Sequence, residues 1–145
     1  MRTVKIVVGI VIVIIVLVTV IPLLLETNPP VVAEPKWDSP QTRELAVRSC
    51  FDCHSNETKY PWFARLPGSS LLVVSDTLQG RAHLNFSEWN SASASREGRN
   101  VREIASVIQR GEMPPGNYVL LHPEAALTDA EKQQLIDGLT KSLTQ

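Results

Sequence analysis

Residues 49–62 read SCFDCHSNETKYPW and hold both cysteines of the chain and one of its three histidines. Cys50, Cys53 and His54 form Cys-x-x-Cys-His, the spacing of c-type haem attachment. The chemistry accounts for the spacing. Two thiols add to the two haem vinyl groups, and the adjacent histidine is thereby placed under the iron as its proximal ligand. Two rival chemistries draw on the same residues. A redox disulfide would sit in a strand–helix context within a βαβ pattern, which this sequence does not display. A structural zinc site needs four ligands, which Cys50, Cys53, His83 and His122 supply on paper. Those two histidines are far apart in the chain, whereas paired zinc histidines are separated by about 3–5 residues. Export and the all-helical patterning described below favour haem.

The second question is what occupies the other face of the iron. Met113, in GEMPPG between two expected helices, is the leading candidate. A proline-rich loop holds a thioether with little entropy to lose, and Met/His ligation raises the reduction potential. The bland reading of such a residue is a gap-filling apolar side chain. His83 and His122 are the runners-up, although a lone histidine is more often a surface or hydrogen-bonded residue than a ligand. Without Met113, a bis-histidine or an open site follows. Trp37, Trp62, Trp89 and Phe63 are expected around a porphyrin or in the core. Arg65 and Arg81 are read as propionate partners or solvated charges, and Asp52 as exposed. No Ser-His-Asp set and no paired carboxylates stand out, which favours an electron carrier over a catalyst.

These residues must be positioned by elements that the rest of the chain supplies. Residues 6–25, IVVGIVIVIIVLVTVIPLLL, carry no charge. About 20 residues at a rise of about 1.5 Å cross a hydrocarbon core of about 30 Å, so the run is long enough to span. Arg2 and Lys5 precede it, which puts residues 1–5 in the cytoplasm and the remainder outside, on the periplasmic or extracytoplasmic side. Val31-Val32-Ala33 offers a cleavage site, but the run exceeds the roughly 7–15 residues of a signal-peptide core, which favours an uncleaved anchor. Residues 26–37 are proline-rich and read as an extended tether, and residues 38–145 as one small domain. With 14 basic and 15 acidic residues, and two of the basic ones before the anchor, the exported part is mildly acidic. Nucleic acid is therefore excluded as a natural partner.

Within 38–145, Ser39-Pro40 begins a helix that runs into Cys50. YPWFARLPG is expected as an aromatic loop broken by Pro61, Pro67 and Gly68. SSLLVVSDTLQGR reads as a helix capped by Ser69 or Ser70 and ended at Gly80. HLNFSEWNSASAS reads as irregular, and REGRNVREIASVIQRG as a helix with Val101, Ile104, Ala105 and Ile108 on one face, terminated by Gly111. EMPPGNYVLLHPEAAL is expected to be a loop throughout, because of its adjacent prolines. Thr128 to Glu131 form a capping box opening a last helix with Leu135, Ile136, Leu139 and Leu143 inward. The fold class is all-α: an N-terminal transmembrane helix plus a small helical domain.

The layout resembles that of small mono-haem cytochromes c. More specifically, CFDCHSNETKYPW, HLNFSEW, EIASVIQRGEMPP and LLHPEAALTDAEKQQLIDGL are similar to the bacterial haem-binding domain family over most of residues 38–143. The stretch LPGSSLLVV departs from that pattern, where an aromatic residue is commoner. The resemblance implies one covalent haem c, bound by Cys50, Cys53 and His54, in a short membrane-anchored protein outside the cytoplasmic membrane. The expected activity is single-electron transfer with redox protein partners or a membrane respiratory complex. The alternatives are a haem peroxidase or small-ligand binder with an open sixth position, and a haem-bearing accessory subunit.

Overall fold

A computed structural model describes residues 1–66 and 68–144. Pro67, expected to help break the aromatic loop, and Gln145, the end of the expected domain, lie outside the described residues.

Helix α1, Arg2–Leu25, carries Arg2 and Lys5 in its first turn and no charged residue after them. Its window Arg2–Pro22 has a mean hydropathy of 3.3 and is long and apolar enough to cross a membrane, as a span or a signal sequence is. Pro22 sits in the last turn, where Glu26 N–H still donates to its carbonyl at 2.9 Å. The chain then continues extended along the helical body. Val32 N donates to Ser87 O at 2.9 Å and Trp89 N to Ala33 O at 2.9 Å, around an isolated parallel bridge between Ala33 and Glu88. Among the described residues there is no other strand pairing.

Helix α2, Pro40–Ser49, starts where Ser39 Oγ accepts from Thr42 N at 3.2 Å. It runs through Cys50 into the single turn of α3, Phe51–His54. After a 3-10 turn at Trp62–Arg65 come α4, Ser69–His83, and α5, Ser91–Gln109. Then follow α6, Gly116–Leu121, a 3-10 turn at Pro123–Ala125, and α7, Asp129–Leu143. The core gathers Leu45, Phe51, Leu84, Phe86, Ile108 and the α7 row Leu135, Leu139 and Leu143. Trp37, Phe51 and Phe86 cluster in that core, with Phe86 tilted against Trp37 at 5.3 Å and stacked on Phe51 at 5.6 Å by ring centroid. Gly138 lets α7 press on α2, because a Cβ there would overlap the Thr42 side chain.

Three expectations need correction. Helix α4 does not stop at Gly80 but continues to His83, and its N-cap is Gly68 (φ 92°) rather than a serine. Helix α5 begins at Ser91 inside the stretch read as irregular, because Asn90 and Ser93 form a capping box that satisfies its first N–H groups. Residues 112–127 are not a continuous loop. Pro115 sits at the N-cap of α6, outside the helix, where its missing N–H is not needed.

Candidate cofactor site

The site is built where α2 passes into α3. Cys50 caps α2, donating its N–H to Ala46 O at 2.8 Å, and its own carbonyl accepts from His54 N at 2.9 Å. That single turn places Cys50, Cys53 and His54 on consecutive corners of the backbone. The two thiols are half-buried and are not joined to each other. Burial pushes Cys50 above its ordinary value. Burial, and then the charges of Asp76 and Asp52, push Cys53 up to about 11.

His54 is oriented from behind. Its Nδ1 lies 3.0 Å from Leu84 O, and a carbonyl can only accept, so Nδ1 carries the proton. The Nε2 lone pair is then the one left to ligate a metal. Burial, the largest influence, pulls the imidazole below its ordinary value against the raising effect of the Leu84 and Gly80 carbonyls. The neutral, ligating form is favoured. The same loop fixes the backbone, since Phe86 N donates to His54 O at 2.8 Å. Helix α4 crosses close behind: a Cβ on Gly80 would lie 2.8 Å from the Cys53 carbonyl carbon. Gly80 is therefore a close-approach residue and not a helix stop.

Met113 follows the end of α5. Gly111 (φ 70°) terminates that helix, and Met113 N reaches Val107 O at 3.3 Å. The Met113 side chain is 39% exposed. His83 is exposed in the last turn of α4. His122 stacks on Tyr118 with centroids 4.1 Å apart, and its Nδ1 lies 3.1 Å from Tyr118 O. Among the described residues no three His, Cys, Asp or Glu side chains come together as a metal cluster, so the four proposed zinc ligands do not assemble.

Asp52, expected to be exposed, is half-buried. It accepts from Lys59 N at 2.9 Å and from the Tyr118 hydroxyl at 2.7 Å. Arg81 is not a free solvated charge. Its guanidinium donates to Ser55 O, Thr27 O, Asn28 Oδ1 and Thr58 Oγ1, all at 2.8–2.9 Å. Arg65 is exposed. Of the aromatic residues, Trp37 and Trp89 pack on the core, while Trp62 is 77% exposed with Phe63 edge-on to it. Sequence reasoning missed Tyr118, Leu84 and the role of Gly80. Only Tyr118 carried a signal, its i,i+4 spacing to His122.

The residues present fit a haem. A neutral imidazole with its Nδ1 proton engaged, and two unpaired thiols within the same turn, match the donor set of covalent attachment. Comparison with known proteins points the same way. The family model for the haem-binding domain matches residues 12–141. A curated relative, cytochrome c peroxidase Ccp of Escherichia coli (strain K12), is 24% identical over 100 residues. The match covers 67% of this chain but 22% of that protein, so the chain spans less than a quarter of the relative's length. No solved structure matches.

Proposed function

The chain belongs to the haem-binding domain family, and on that premise we propose that it is a membrane-anchored mono-haem c-type cytochrome passing single electrons between exported or membrane-bound redox partners. The observation that carries the reading is the His54 Nδ1–Leu84 bond, which frees Nε2 beside two unpaired thiols. Cys50 and Cys53 would hold the cofactor through thioether bonds, His54 would be the proximal ligand and Met113 the distal one. When bound, the haem supplies a one-electron iron couple. The chain's own part is orientation. Leu84 fixes the imidazole plane, the core beneath Phe51 resists its movement, and the Met113 thioether would raise the reduction potential. Helix α1 would hold the domain at the cytoplasmic membrane with residues after 25 outside, since Arg2 and Lys5 precede the apolar run. The partners would be redox proteins or a respiratory complex at that surface.

The full chain, purified in detergent, tests each part. Cys50→Ala with Cys53→Ala should abolish haem staining after denaturation; persistent staining would refute the attachment assignment. The ferric form should be low-spin with the charge-transfer band of methionine ligation, and Met113→Ala should abolish that band. A second reading, a peroxidase or small-ligand binder with an open sixth position, draws on the similarity to the Escherichia coli peroxidase. A high-spin ferric spectrum and ready cyanide binding in the unmutated protein would decide for it.

A further inference from the structure

Met113 is anchored firmly on its upstream side only. Gly111 N donates to Ile108 O at 3.0 Å and Glu112 N to Val107 O at 2.9 Å, so the chain leaves α5 along a defined path. Downstream lies α6, which contains no buried residue and exposes Leu120 and Leu121. Apolar burial therefore does little to hold that helix. What ties it across the molecule is the Tyr118 hydroxyl, donating to Asp52 Oδ2 at 2.7 Å. Among the described residues, no other hydrogen bond joins α6 to an element beyond its sequence neighbours.

The acceptor is well chosen for a fixed point. Asp52 lies between the two cysteines, and its other oxygen is already held by Lys59 N at 2.9 Å. The donor is also constrained, since the Tyr118 ring stacks within 15° of the His122 plane. Burial, and then the Asp52 carboxylate, push the phenol above its ordinary value, so it remains a donor. A hydroxyl bonded to a carboxylate is among the stronger hydrogen bonds.

We propose that Tyr118 is a positioning residue: its bond to Asp52 clamps α6 to the haem-attachment turn and so holds the Met113 loop, five residues upstream, at the distal face. The proposal rests on reading Met113 as the distal ligand. It makes the haem motif itself the reference point for its own opposite ligand.

The test uses the full-length, haem-loaded chain in detergent. Tyr118→Phe removes one oxygen and keeps the ring. It should leave haem covalently bound on a denaturing gel, weaken the methionine charge-transfer band, and raise cyanide affinity about tenfold or more. Asp52→Ala should reproduce both changes, and the double variant should add little to either single one. Asp52→Asn, which keeps an acceptor oxygen, should show the smaller effect. If Tyr118→Phe fails to load haem, the Asp52→Ala and Asp52→Asn pair decides by the same readouts. An unmutated protein with the band, and variants with unchanged band and cyanide affinity, would overturn the clamp while leaving Met113 as ligand. If the unmutated protein lacks the band, or Met113→Ala retains it, the ligand assignment fails and the clamp fails with it.

Discussion

The turn carrying Cys50–His54 and the segment carrying Met113 are held in opposite ways. Around His54, both the ring and the backbone carbonyl are bonded to the 84–86 loop. Ser55 Oγ donates to Phe51 O at 2.8 Å, Asn56 N to Ser87 Oγ at 2.9 Å, and Arg81 closes over Ser55 O. Phe51 and Phe86 are buried beneath. Around Met113 there is a half-exposed loop and a six-residue helix with no buried side chain. The Cys50–His54 turn cannot shift without disturbing the core, whereas little apolar burial holds the segment that carries Met113. On the proposed reading, such a site would anchor its cofactor by the fold and tune it by a loop.

Four changes would break or sharpen that contrast. Phe86→Ala, at 1% exposure, stacked on Phe51 and in tilted contact with Trp37, should destabilise by about 3–5 kcal/mol in denaturant unfolding. Gly80→Ala gains helix propensity worth about 1 kcal/mol. It must also displace the Cys53 backbone, at about 1–3 kcal/mol, so a net loss is expected, together with poorer haem loading.

A third change acts through pH. Glu131 is held down to about 2 by the Thr128 N–H first and then by Arg48, which lies 2.6 Å away on α2. A carboxylate depressed in the folded state stabilises above its unfolded value of about 4.3. That contribution fades as pH falls towards about 2. The melting-temperature advantage of the unmutated chain over Glu131→Gln should therefore be constant near neutrality and shrink on acidification. The smallest effect belongs to the other region: Leu120→Ala, at 80% exposure, should shift stability by no more than about 0.5 kcal/mol.

What could be read from the sequence was what local chemistry dictates. Ser39 before Pro40, the Thr128–Glu131 box, the left-handed Gly111 and the α7 row Leu135, Leu139 and Leu143 all act within a turn or two of themselves. The failures share a cause. Gly80 looks like a helix stop because its reason for being glycine is a backbone packed from a different helix. Arg81 looks solvated because its acceptors lie 23–54 residues away, and two of the four are backbone carbonyls, which leave no trace in residue type. Asp52 and Tyr118 pair across 66 residues with no periodicity to announce it. Within the site, the Cys-x-x-Cys-His spacing pointed to a haem-binding family, while the groups that orient His54 left no such sign.

The proline-rich segment has a mechanical consequence. Thr27 O and Asn28 Oδ1 already accept from Arg81, Pro30 O accepts from Asn56 Nδ2 at 3.1 Å, and Val32 N is bonded to Ser87. Pro22, in the last turn of α1, is itself buried. Almost no free chain remains between the apolar helix and the body. The segment is a bracket rather than a leash: a tilt of α1 turns the body with it, and the heading of the Cys50–His54 turn is set by whatever grips that helix.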